Sequence, residues 1–324
     1  MKTFQLIEVV SFIFLAAYLA TSFCQAAEQI KQNVQEQSPI EKAQTAKENP
    51  DNGLLKPMKK YNLTHCTAQL TPTVCKLWNV TPPPICIADP IPEVLEQAKD
   101  KFKDAPLEKT LIFCPDAIGK VLEDKYPTDF ADLRSLTTFV STSANVMPSV
   151  TPVNFSTIFT GAPPEVHGRS FYSKDLQTSP SLFDAFARAG KKVCIIAENE
   201  YSMDKIFRQR PVDYISTVSY DDAVKMAALV LEYCDYDLVV VYDGEYDTTM
   251  HKNGVDHEKS LTAMRNSLRR YCELVRLTDK LWAGKNRLTV FASDHGSHDN
   301  NGKGTHGTEL PDDCIVNHCY RVAK

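Results

Sequence analysis

Leu238-Val-Val-Val-Tyr-Asp-Gly-Glu-Tyr-Asp247-Thr-Thr-Met-His251 is the stretch on which the fold turns. Its first half is continuously apolar rather than alternating, as in a strand buried on both faces. Its second half delivers an aspartate and a histidine straight after the strand ends. The same short apolar texture recurs at Thr110 to Cys114, Thr137 to Val140, Lys192 to Ala197 and Leu288 to Ala292. Between these runs, Ser181 to Ala189, Asp221 to Tyr233 and His257 to Trp282 carry helix-spaced apolar residues, and Gly190 and Gly284 stand where helix stops belong. Strands alternating with helices predict an α/β domain over 107–324, a mostly parallel sheet sandwiched by helices.

Composition agrees with a folded chain. Of 324 residues 43% are hydrophobic and 24% charged, which excludes a disordered chain, a collagen-like repeat and a multi-span membrane protein. Asp and Glu outnumber Lys and Arg by 41 to 36, so no nucleic-acid-binding surface is expected. Lys2 precedes the apolar run Val9 to Phe23, which ends before Cys24-Gln25-Ala26. That run falls short of the ~20 residues of a membrane span and reads as a secretory signal peptide over 1–26. The mature chain is then secreted or extracellular with no transmembrane span, and an uncleaved signal anchor is the alternative. Residues 27–60 contain no aromatic residue and read as a flexible linker. Residues 61–106 form a Cys- and Pro-rich lead-in. Nine cysteines remain beyond the signal, an odd number; export permits disulfides whose pairing the sequence does not settle. Asn62-Leu-Thr and Asn79-Val-Thr are glycosylation acceptors.

The chemistry sits at strand ends. Leu111-Ile-Phe-Cys-Pro runs into Asp116, Leu238 to Tyr242 leads to Asp247 and His251, and Leu288 to Ala292 delivers Asp294 and His295, with His306 soon after. In an open parallel sheet the carboxyl ends of the strands form the ligand crevice. Three Asp and three His suit Zn²⁺ and fill two three-ligand sites, each with open positions. Paired metals about 4 Å apart suit phosphoryl transfer. A hydroxyl at a helix start, in Pro148-Ser-Val-Thr151-Pro, is a nucleophile that a metal activates; its plain alternative is a helix cap.

The ordered set Pro115-Asp116-Ala-Ile-Gly, Pro148-Ser-Val-Thr151-Pro with Thr160-Gly-Ala-Pro-Pro-Glu-Val-His167-Gly, Asp247-Thr-Thr-Met-His251, Ser293-Asp294-His295-Gly and Thr305-His306-Gly resembles the alkaline phosphatase superfamily. It is nearest to the type I phosphodiesterase/nucleotide pyrophosphatase branch. The resemblance implies Thr151 as nucleophile, with Ser149 as fallback, and two zinc ions. Asp116, Asp294 and His295 would hold one with Thr151; Asp247, His251 and His306 would hold the other. It also implies that His167 shapes its loop.

One departure concerns the substrate. The branch carries an Asn twenty-one residues past the nucleophile, where this chain has Tyr172. Tyr172 is therefore the candidate phosphate-oxygen donor, with Asn154 behind it, and Arg169, Lys174 and Lys303 are cations near the motifs. The implied function is a secreted hydrolase cleaving phosphodiester or nucleotide pyrophosphate bonds through a phospho-threonine, its partner a small phosphate ester or nucleotide. The alternatives are a phosphomonoesterase of the same superfamily and a non-catalytic surface or binding protein that kept the fold. A sulfatase lacks its nucleophile pattern, and an exported phosphomutase lacks its cytosolic substrates.

Overall fold

Alternation inside the apolar runs sorts their side chains onto two faces. Leu238, Val240 and Tyr242 join one hydrophobic cluster while Val239 and Val241 join the other, and the neighbouring strands repeat the pattern. The structure is a computed structural model that describes residues 37–324. The expected signal segment 1–26 and residues 27–36 lie outside the described residues. From Pro39 onward the chain forms one unit. Its strands are β1 (His65–Cys66), β2 (Lys109–Pro115), β3 (Phe139–Ala144), β4 (Val193–Glu198), β5 (Asp213–Thr217), β6 (Leu238–Asp243), β7 (Arg287–Phe291), β8 (His298–Asn300), β9 (Lys303–Thr305) and β10 (Ile315–Ala323).

Eight of them form a sheet in the order β1-β3-β10-β7-β2-β6-β4-β5, and β8 pairs with β9 in a separate hairpin. All neighbours in the large sheet are parallel except those of β10, which runs antiparallel to both β3 and β7. The mostly parallel α/β sandwich expected from the sequence is the observed one. Helices Tyr220–Tyr233 and Glu258–Leu281 cover one face, and Leu70–Trp78, Pro92–Phe102, Thr151–Thr160 and Leu182–Arg188 cover the other. β2, β3, β6 and β7 all end at the edge from which the Asp and His loops depart.

Three expectations need correction. The run expected at 137–140 is β3, displaced to Phe139–Ala144, because its second half is Ser-Thr-Ser-Ala, not an apolar run. β5 and β10 gave no apolar signal. β10 carries Asn317, His318 and Arg321 at its centre, each bonded to a neighbour: Asn317 to Thr142 and Glu123, His318 to the Ser293 carbonyl, and Arg321 to Asp279. The expected linker is helical over Pro39–Glu48 and Leu55–Lys60. There Ala43 and Ala46, three apart on one face, pack on Ile85, Ala162 and Val166, so small side chains suffice where aromatics are lacking. The Cys- and Pro-rich lead-in likewise contributes Leu70, Val74, Trp78, Val94 and Phe102 to the core of one face.

The nine cysteines from Cys66 onward are free thiols, so the disulfide expectation finds no bonded pair among the described residues. Burial pushes Cys66, Cys75 and Cys86 up to about 12. Asn62 and Asn79 are exposed, as glycosylation would require. No helix among the described residues is long and apolar enough to cross a membrane.

His318 and His167 set an acid limit. Burial lowers His318 to about 4, and burial followed by the Arg169 charge lowers His167 to about 3. Both values lie below the ~6.5 of an unfolded histidine. The folded state therefore binds fewer protons between those values and pH 6.5, so stability is complete above pH 6.5 and declines as pH falls. His318→Gln is expected to flatten the decline between pH 7 and pH 4 by about 3 kcal/mol in urea unfolding. Parallel wild-type and variant slopes would show that His318 is not the group responsible.

Candidate metal centre

Each metal-ligand candidate is delivered by a strand end or the loop that follows it. Asp116 follows β2, and its amide donates to the Asp243 carbonyl at 2.9 Å. Asp247 and His251 lie one turn apart on the helix Glu245–Asn253, which opens one residue after β6. Asp294 and His295 follow β7, and His306 follows β9. Thr151 is the first residue of the helix Thr151–Thr160.

The side chains converge into two clusters. Asp116, Asp294 and His295 form one that is fully buried; Asp247, His251 and His306 form the other, which is partly open. In the first, His295 Nε2 lies 3.5 Å from Asp116 Oδ1 and 3.3 Å from Asp294 Oδ2. Thr151 Oγ1 is 3.2 Å from His295 Nε2 and 3.4 Å from Asp116 Oδ1. In the second, Asp247 Oδ1 lies 3.2 Å from His251 Nε2 and 3.4 Å from His306 Nε2, and the two Nε2 atoms are 3.2 Å apart. The His295 and His306 rings stack at 4.0 Å between centroids, which joins the clusters.

The imidazole orientations bear on what fits between these atoms. The Nδ1–H of His251 donates to the Gly304 carbonyl at 2.9 Å, that of His306 to the Ser149 carbonyl at 2.9 Å, and that of His295 to the Gly296 carbonyl at 3.0 Å. Each neutral ring then turns a bare Nε2 lone pair towards carboxylate oxygens. Asp247 Oδ1 and Asp294 Oδ2 are buried with no hydrogen-bond partner. Lone pairs crowded on lone pairs are tolerable only around a cation or extra protons. A tetrahedral ion with bonds of ~2.0–2.1 Å has donor–donor edges of about 3.3–3.4 Å, close to the separations found. The residues fit a zinc-like ion in both places.

Electrostatics point the same way. Burial, then the charges of Asp294 and Asp247, push Asp116 well above the carboxylate range, and burial does the same to Asp294. Burial pushes His295 well below its ordinary value. Asp247 titrates below the carboxylate range because His251 and His306 outweigh its burial. Without a cation, the first cluster holds a proton between its carboxylates.

Other candidates separate clearly. Ser149 Oγ is buried and donates to the Thr308 carbonyl at 2.9 Å, outside both clusters. Asn154 is likewise committed: its Oδ1 accepts from Val146 N at 3.0 Å and its amide donates to the Pro148 and Val150 carbonyls. Arg169, 7% exposed, donates to the Ser173 and Asp175 carbonyls and folds its own loop, so it is neither a surface charge nor a phosphate clamp. Lys303 is exposed on the hairpin. His167 Nδ1 accepts from the Arg169 amide of that loop, and its Nε2 meets Thr157 Oγ1 on the helix Thr151–Thr160. Tyr172 and Lys174 line the cavity of about 380 Å³ that contains Thr151, Asp116 and Asp247. A larger cavity of about 910 Å³, beside the helix Leu55–Lys60, holds neither cluster.

Sequence reasoning missed the supporting residues. Tyr242, 2% exposed, donates to Asp116 Oδ2 at 2.5 Å and leaves Oδ1 for Thr151 and His295. Its signal was a hydroxyl tip at the end of an otherwise hydrocarbon strand. Tyr201 enters the same cavity from the loop after β4.

Neither the protein-family models nor the curated proteins contain a match. Solved structures do match. Human ectonucleotide pyrophosphatase/phosphodiesterase 5 aligns at 19% identity and TM-score 0.48, over 59% of this chain and 57% of that one. Phosphonoacetate hydrolase from Sinorhizobium meliloti 1021, in complex with phosphonoformate, aligns at 18% identity and TM-score 0.44 over the same shares. The C-terminal periplasmic domain of EcEptC from Escherichia coli, in complex with Zn, aligns at 17% identity and TM-score 0.44, over 67% of this chain and 73% of that one. The chain thus spans 57% of the length of the pyrophosphatase/phosphodiesterase structure it matches.

Proposed function

We propose that this chain is an exported two-metal phosphoric ester hydrolase of the alkaline phosphatase superfamily, cleaving phosphodiester or pyrophosphate bonds through a phospho-threonine. The observation that carries the reading is the convergence of Thr151 Oγ1 on one of two adjacent three-ligand clusters whose unpartnered donors face one another. Zinc bound in such clusters lowers the pKa of a coordinated hydroxyl and neutralises charge on phosphoryl oxygens.

The chain's own residues would do the rest. Tyr242 fixes Asp116, and Asp116 with His295 orients the Thr151 hydroxyl, whose proton is lost to solvent as Oγ1 attacks phosphorus. The P–O bond to the leaving group breaks, and that group departs with the bond's electron pair and takes up a proton. Water then attacks the phospho-threonine and breaks its P–Oγ1 bond, returning the Thr151 hydroxyl. Asp247, His251 and His306 form the half-open cluster on the side where a leaving group and water can enter.

Tyr172 decides between ester classes. The residue is 55% exposed, and it lines the cavity with Lys174, whose ammonium donates to the Glu200 carbonyl at 2.8 Å and lies over the Tyr201 ring. With Arg169 committed to its loop, no guanidinium among the described residues lines this cavity to neutralise the second charge of a monoester, which favours a diester or pyrophosphate. Tyr172→Phe is expected to lower kcat/KM for an aryl phosphodiester by roughly 10²-fold, the scale for losing one oxyanion donor. A tenfold preference of wild type for the matching monoester would replace this reading with the phosphomonoesterase one.

A further inference from the structure

The hairpin β8–β9 carries His306 at its exit, and both its ends are held by one residue outside the motifs. Asp313 is 0% exposed. Its Oδ1 accepts from His298 Nδ1 at 2.7 Å, at the start of β8. Its Oδ2 accepts from the Thr308 amide at 2.9 Å and from Thr308 Oγ1 at 2.7 Å, two residues beyond His306. His298 and Thr305 are register partners across the hairpin, so the carboxylate closes the loop that presents His306.

The backbone of Asp313 is joined to the first cluster's loop as well. Its carbonyl accepts from the Gly296 amide at 2.9 Å and from Asn145 Nδ2 at 2.9 Å, and Asn145 also donates to the Asp294 carbonyl at 3.3 Å. A Cβ on Gly296 would stand 2.0 Å from the Asp312 carbonyl oxygen, so the two chains cross where only glycine fits.

Resting on the two-metal reading, we propose that Asp313 is a positioning residue that sets His306, and so makes the second metal site, without holding the first. The first cluster has its own supports: Tyr242 on Asp116, and the Ala117 and His295 amides on Asp294 Oδ1 at 3.1 and 2.9 Å. The second has two ligands on the helix Glu245–Asn253; its third, His306, is anchored at Nδ1 by the Ser149 carbonyl but takes its backbone position from the exit of the hairpin. Removing the Asp313 carboxylate leaves His298 Nδ1 and both Thr308 donors unpaired and frees the hairpin's two ends together. Asparagine is a partial substitute, since its carbonyl still accepts from Thr308 and its amide meets the other tautomer of His298.

The test is Co²⁺ titration of the metal-stripped protein, followed by the visible absorption of each bound equivalent and by Zn²⁺ competition. Wild type is expected to take two equivalents. Asp313→Ala is expected to bind the second about tenfold more weakly while the first stays within about threefold, the lower end of the range for losing a direct outer partner of a ligand, since Asp313 acts one step further out. Asp313→Asn should recover most of the second site. If Asp313→Ala does not fold, His298→Leu, which removes one arm, should weaken the second equivalent alone. Equal binding of both equivalents in a folded variant, or equal loss of both, overturns the positioning role. A wild type that takes no metal overturns the two-metal reading itself.

Discussion

Thr151→Ala is expected to lower kcat by about 10³-fold or more while two metals stay bound and the fold survives. The structural cost of the change is small. Thr151 is the first residue of its helix, where its side chain makes no capping bond, and alanine is a good helix former. Its hydroxyl contacts only Asp116 and His295, both of which keep their other partners. The catalytic cost is large, because Thr151 Oγ1 is the one serine or threonine hydroxyl among the described residues that bonds both Asp116 and His295. Ser149, two residues earlier, spends its Oγ on the Thr308 carbonyl, so Ser149→Ala should change kcat by only a few-fold. Rapid-quench detection of phosphoenzyme separates the outcomes. A label on protein in wild type and none in Thr151→Ala supports the assignment. A dead Ser149→Ala beside an active Thr151→Ala would move the nucleophile.

How legible this was in the sequence depended on the scale of the contact involved. β2, β4, β6 and β7 were readable because burial on both faces demands an unbroken apolar run. β10 was not, since Asn317, His318 and Arg321 are tolerated in mid-sheet only through partners far away in the chain. The six ligand candidates stood out because carboxylates and imidazoles directly after such strands meet at one edge. Tyr242 and Asn145 did not, because what they do is decided by contacts across more than a hundred residues. Asp313 did not either: its two side-chain arms are local but join a hairpin with no apolar pattern. The helix Pro39–Glu48 was missed for a different reason: two alanines are too little apolar surface to register as a pattern, yet enough to seat one turn against Ile85 and Val166.

Chelation of the metals is expected to abolish turnover and to lower Tm by roughly 10 °C or more. Each site loaded at a hundred times its Kd contributes about 2.7 kcal/mol to stability, and about 2–4 °C of Tm follows per kcal/mol in domains of somewhat smaller size. Burial, with the charges of Asp294 and Asp247 on Asp116 and of Asp247 on Asp294, raises Asp116 and Asp294 well above the carboxylate range, so the metal-free cluster retains protons that a cation must displace. His251 and His306 are raised as well, His251 chiefly by the Asp247 carboxylate beside it, and His306, against its burial, by the same carboxylate. In the metal-free protein, groups with raised values bind more protons folded than unfolded, so their contribution to stability falls as pH rises. Loading must release those protons, and apparent metal affinity should therefore climb with pH. Proton release is measurable with an indicator dye in weak buffer as Zn²⁺ is added. Two equivalents of zinc, net proton release and a restored Tm belong together. Full activity and an unchanged Tm after exhaustive chelation would leave the clusters as a polar network, with Thr151 without the activation that its chemistry requires.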